Sequence, residues 1–121
     1  MNRDELRTVV AAITTVDANV GSAIPQNMRR FIYRIKVVNE FNGNNLLTLG
    51  KRENGAGATT AVDYIQSAVL YDTYVDPGEL KEDAAPLYTV EGKGSTGDSY
   101  IRAVTDQGNA YLTVWYIDAP A

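Results

Sequence analysis

The chain contains no cysteine and no histidine in its 121 residues. Without thiols it can build neither a disulfide framework nor a thiolate metal site, so packing alone has to hold it together. The missing imidazole removes the commonest general base, the commonest transition-metal ligand and the usual pH switch at once. Triad-type serine chemistry goes with it, and no Gly-x-Ser-x-Gly elbow occurs. These absences argue against an enzyme and lead us to expect no cofactor and no metal. No run of 18 apolar residues exists, and the stretch MNRDELRTVVAAITTV is too acidic, and lacks the apolar segment, for a secretion signal. The expectation is a soluble protein made in the cytoplasm, with no membrane partner.

What is present is strand-forming sequence. Met28–Asn39, MRRFIYRIKVVN, is its clearest stretch. At period two, Phe31, Tyr33, Ile35 and Val37 fall on one face, and Arg30, Arg34 and Lys36 on the other, interrupted by Ile32 and Val38. Ile24-Pro25 precedes it and Asn42-Gly43-Asn44-Asn45 follows, so turn chemistry brackets it. Residues 45–49 (NLLTL) read as its hairpin partner through Asn42-Gly43. Residues 62–75 hold one or two strands rich in tyrosine, with Tyr64, Tyr71 and Tyr74 expected to set ring faces on the core. Asp76-Pro77-Gly78 signals a turn, an acidic connector follows, and 87–90 (LYTV) makes a short strand before the loop 92–98. Ser99–Thr105 and 110–117 (AYLTVWYI) read as a closing hairpin, the last strand apolar on both faces and therefore buried on both, either in the middle of a sandwich or between the sandwich and a neighbouring subunit. In that strand Tyr111, Thr113, Trp115 and Ile117 alternate with Ala110, Leu112, Val114 and Tyr116.

Residues 1–25 are ambiguous: Asp4 can start a short helix, yet Thr8, Val9, Val10 and Ile13 to Val16 are mostly β-branched. The reading is an N-terminal arm, short helix or first strand over 1–23, followed by turn residues up to Ile24-Pro25 and a sandwich domain over 24–121. Seven or eight short strands without a long helix give an all-β fold, an antiparallel β-sandwich or jelly roll.

Net charge is −4, unevenly spread. Residues 1–25 carry two basic and three acidic side chains, 26–52 six and one, and 53–121 three and eleven. The overall acidity disfavours nucleic acid as a ligand. Arg29, Arg30, Arg34 and Lys36 concentrate the basic charge on one strand, where they either pair with carboxylates of another chain or form a solvated face that blocks unwanted edge pairing. Asp72, Asp76, Glu79, Glu82 and Asp83 cluster in sequence, but without the spacing of a calcium loop or a defined carboxylate pair. They read as a solvated connector. The loop 51–61, KRENGAGATTA, lacks the ending of a P-loop.

This order of turns and strands resembles the small β-sandwich proteins that decorate or cement the capsids of tailed phages and related viruses. The resemblance rests on Ile24-Pro25, residues 35–39, Asp76-Pro77-Gly78, residues 97–103 and residues 112–117, and spans roughly 24–118. It implies a virion protein on the outer capsid surface, often a homotrimer, that binds the major capsid protein and stabilises its lattice. The expected contacts are Arg29, Arg30, Arg34 and Lys36, with Trp115, the only tryptophan, as the anchor. The alternative reading is a carbohydrate-binding or fibre-tip module using the tyrosines and the loops 51–61 and 92–98.

Overall fold

A computed structural model describes the backbone of residues 3–52, 60–69, 74–75, 85–93 and 99–120. Among the described residues a 3-10 turn, Arg3–Glu5, precedes nine strands: β1 Arg7–Ile13, β2 Ala18–Ile24, β3 Met28–Asn39, β4 Asn45–Arg52, β5 Thr60–Val69, β6 Tyr74–Val75, β7 Tyr88–Glu91, β8 Ser99–Thr105 and β9 Ala110–Pro120. They form two antiparallel sheets that pack face to face. The first has the order β1-β9-β3-β6, with β7 also paired to β3, and the second has the order β2-β8-β4-β5. β6 pairs with Val37 and Val38 near one end of β3, and β7 with Arg29, Arg30, Phe31 and Ile32 near the other, so the two short strands share one edge position. With that position counted once there are eight, and the chain crosses between sheets after every strand except β4 and β6. This is jelly-roll connectivity.

The core lies between the sheets. Ile13, Ile32, Ile35, Val37, Leu112 and Val114 face inward from the first sheet, and Val20, Ile24, Leu47, Leu49 and Ile101 from the second, all essentially buried. Burying each such side chain contributes about 1.5–3 kcal/mol of transfer free energy. Alternation makes this possible: in β8, Ser99, Ile101, Ala103 and Thr105 are buried and the residues between them are half-exposed.

Several expectations are met and several corrected. β3 has the bounds its turn signals imply, and of the readings for the N-terminal region the first strand is present as β1. Residues 18–24, read as turn, instead form β2, paired with β8. Neither expected hairpin is one. β4 lies in the sheet opposite β3, and β8 in the sheet opposite β9; both connections arch across the core. β9 is buried on its inner face, while on its outer face Tyr111 remains 45% exposed and Thr113 and Trp115 are half-buried.

The two faces of β3 are also reassigned. Its pairing with β9 shifts register between Ile32 and Arg34, leaving Tyr33 as an extra residue. Such a bulge exchanges the faces on either side of it. Arg30 and Ile32 therefore point inward with Ile35 and Val37, whereas Arg29, Phe31, Arg34, Lys36 and Val38 lie on the half-exposed side. The stripe of Arg30, Arg34 and Lys36 expected from strict alternation does not exist. Asp76-Pro77-Gly78, the cluster Asp72, Asp76, Glu79, Glu82 and Asp83, Tyr71, the side chains of Tyr64 and Tyr74, and most of the loops 51–61 and 92–98 lie outside the described residues.

Candidate functional site

The basic residues of β3 separate into two environments. Arg30 is 1% exposed. Its Nε donates to Asp118 Oδ1 at 2.8 Å and its Nη2 to Asp118 Oδ2 at 2.9 Å, a two-pronged pair across β3 and β9. Its Nη1 donates to the Ser22 carbonyl at 2.8 Å, reaching β2 in the opposite sheet, and its guanidinium lies 4.3 Å from the Tyr116 ring centroid. Arg30 thus staples the two sheets from inside and presents nothing to solvent. Beside it Tyr88 is pushed well above the usual phenol range by burial, a shift the nearby Arg30 charge opposes.

The same pole of the sandwich depends on a close backbone approach. The turn after β2 bonds Met28 N to Pro25 O at 3.1 Å and holds Asn27 at φ 64°, a left-handed conformation that asparagine tolerates. Gly92 lies against this turn, its N donating to Met28 O at 2.8 Å and its O accepting from Asn27 N at 3.2 Å. A Cβ on Gly92 would sit 2.0 Å from Pro25 O, so only glycine fits. A groove of about 640 Å³ opens at this pole between the N-terminal turn, Met28 and the end of β9, with Asp4, Glu5 and Arg7 on its wall. Among the described residues no group of three carboxylates or other ligating side chains converges as a metal site.

On its outer side, away from the core, the first sheet carries a mixed aromatic and basic face. Cross-strand register places Arg34 opposite Trp115, Lys36 opposite Thr113 and Val38 opposite Tyr111, and β1 adds Thr8, Val10 and Ala12 along the same three rows. The Arg34 guanidinium lies 4.8 Å from the Trp115 ring centroid, a cation–π arrangement that fixes both long side chains. Arg29 belongs to the same face nearer the Gly92 pole, where it pairs with Glu91 at 3.5 Å; Lys93 reaches the same carboxylate at 3.7 Å.

Of the five residues expected to contact a partner, the structure therefore groups Arg34, Lys36 and Trp115, sets Arg29 apart in an exposed ion pair, and takes Arg30 into the core. Part of the basic-to-acidic asymmetry along the sequence is spent within the chain, through Arg29–Glu91 and Arg30–Asp118. Sequence reasoning passed over Asp118, Ser22 and Tyr116. The usable signal was Asp118, the lone charge in the otherwise apolar β9, since a buried charge persists only where it is paired and β3 supplies the cations. No protein-family model, curated protein or solved structure matches this chain.

Proposed function

We propose that this protein is a structural assembly protein, a capsid decoration or cement protein that docks the outer face of its first sheet on a major capsid lattice and stabilises it. The observation that carries this reading is the surface formed by Arg34, Lys36 and Trp115. A tryptophan anchor held under an arginine, with a second cation one row away, has the composition of an interface hot spot, where aromatic and arginine side chains supply most of the binding energy. The rows are held in a paired three-strand sheet, so little conformational entropy is lost on docking. Repetition around a closed shell multiplies modest contacts. Jelly rolls serve in viral capsids and in lectins alike, so the fold is compatible with the reading by analogy only. Against a sugar-stacking role for Trp115, Arg34 already lies over its ring. In this reading the protein works without catalysis or cofactor at the virion surface, bound to the major capsid protein and associated with further copies of itself.

Co-sedimentation with shells assembled from the major capsid protein of the same genome tests the proposal. The wild type pellets with shells, less at high salt because the cations are half-exposed, and the triple variant Arg34→Ala, Lys36→Ala, Trp115→Ala loses at least about tenfold in affinity. Failure of the wild type to pellet, together with binding on a glycan array, would replace the reading with the carbohydrate module.

A further inference from the structure

We infer that the outer edge of β1 pairs antiparallel with β1 of a second copy of this chain, about a two-fold axis at Val10. The first sheets of the two copies then join into one continuous sheet. This goes beyond the capsid reading and stands independently of it.

β1 ends its sheet: β9 is bonded on both sides, by β1 and β3, and β1 has a neighbour on one side only among the described residues. An unpaired strand edge is a template for another strand, and proteins usually blunt it with a bulge, a proline, a charge or brevity. The neighbouring edge strand of the other sheet is blunted. β2 pairs with β8 through a register break between Val20 and Ile24, and Gly21 within that break has φ 78°. β1 has no such protection. Its seven pairs with β9 run without a break, and Thr8, Val9, Val10, Ala11, Ala12 and Ile13 include neither a charge nor a proline. The two most exposed large apolar side chains among the described residues, Val16 at 69% and Val10 at 63%, lie just beyond β1 and on it.

The strand is also complementary to itself, which favours a second copy over an unrelated peptide. With the axis at Val10, Val10 meets its own equivalent, Val9 meets Ala11, Thr8 meets Ala12 and Arg7 meets Ile13, so all seven residues find partners. Outward residues meet outward residues and inward meet inward, as the strand period requires. The single charge, Arg7, is carried to opposite ends of the paired strands, roughly 20 Å apart at about 3.4 Å per residue, and no like charges confront each other. Such an isologous contact closes at two copies, a different order from the trimer that the resemblance implies.

The test places charge at the axis. Val10→Lys and Val10→Glu each leave a solvent-facing position solvent-facing, and circular dichroism checks that both fold. Sedimentation equilibrium of the wild type is expected to show a concentration-dependent dimer. Each variant alone is expected to weaken the dimer at least about tenfold, since like charges then face each other, and an equimolar mixture restores it as a heterodimer. Hydrogen exchange at residues 8–12 slows with wild-type concentration. A wild type that is monomeric at every concentration, a trimer, or a dimer indifferent to Val10→Lys overturns the inference. Because shell binding is read separately through Arg34, Lys36 and Trp115, failure of one proposal is distinguishable from failure of the other.

Discussion

The two poles of the sandwich are closed by different chemistry. At the Gly92 pole an ion pair does it: Arg30 and Asp118 on the first sheet, with Ser22 on the second, buried beside Tyr116. At the other pole the closure is neutral. Asn39 at the end of β3 and Asn45 at the start of β4 are each 1% exposed, and Asn45 Nδ2 donates to Asn39 Oδ1 at 3.2 Å and to Gly108 O at 3.0 Å. Asn45 Oδ1 accepts from Gln107 N at 3.1 Å and Gly108 N at 3.3 Å, while Asn39 Nδ2 donates to Gly43 O at 2.9 Å and Asn39 Oδ1 accepts from Phe41 N at 3.0 Å. Two amide side chains thus fix both arches that cross the core there, the one after β3 and the one after β8.

The difference is in how each closure fails. An ion pair concentrates its energy in two groups, and removing one strands the other's charge in the interior. The amide closure spreads over many backbone groups, each worth little net but costly when left buried without a partner. The ionic pole should therefore be the more brittle of the two and the easier to replace by apolar residues.

The largest effect follows from Asp118→Ala, which leaves Arg30 buried and uncompensated and should cost about 3–5 kcal/mol in urea unfolding. The double variant Arg30→Met, Asp118→Leu should recover most of that loss; a double variant as unstable as the single one would show that the pair is needed for more than mutual neutralisation. Next comes Asn45→Ala at the neutral pole, expected to cost about 2–3 kcal/mol by removing the buried bond to Asn39 and stripping partners from part-buried backbone groups of residues 107 and 108. If it matched Asp118→Ala, the contrast between the poles would disappear. Gly108→Ala should cost about 1–3 kcal/mol, because its Cβ would lie 2.4 Å from Phe41 Cδ1 and the ring must move. Thermal unfolding of the Gly108 variant with and without Phe41→Leu reads that clash directly.

The smallest effect is confined to alkaline solution. Burial raises the Tyr88 phenol in the folded state, so the unfolded chain releases this proton first, near its ordinary value of about 10. The contribution of Tyr88 to stability is intact below that pH and declines above it, by up to about 1.4 kcal/mol per pH unit, until the raised folded value is reached. Tyr88→Phe should flatten that part of the stability profile relative to wild type; parallel profiles above pH 10 would contradict the assignment.

The strands themselves were legible in the sequence wherever alternation ran between clear turn residues, as in β3, β8 and β9. β2 was not, because Asn19, Gly21 and Ser22 are turn-forming residues; this edge strand tolerates Gly21 and Ser22 at its register break, and Asn19 in the pairs before it. The faces of β3 were misassigned for a local reason: one extra residue at Tyr33 reverses the alternation, and nothing in FIYRIKV marks it. Arches were mistaken for hairpins because a short polar connection looks the same in both. What decides between them here is the set of bonds made by Asn39 and Asn45 with groups 2 to 63 residues away. The grouping of the basic residues was only partly legible. Arg34, Lys36 and Trp115 do share a face, but the role of Arg30 depends on Asp118, 88 residues downstream.

A fold closed at both poles, with the edge strand β1 left unblunted, makes self-association through β1 the most exposed claim of this account. Light scattering of the wild-type protein over a wide concentration range, at low and at high salt, measures it most directly. The account predicts a species approaching twice the 13.2 kDa chain mass as concentration rises, and no dissociation at high salt, because a strand edge without opposed charges has little for salt to screen. A mass fixed at that of one chain, a mass of three chains, or a dimer that salt dissolves would contradict it.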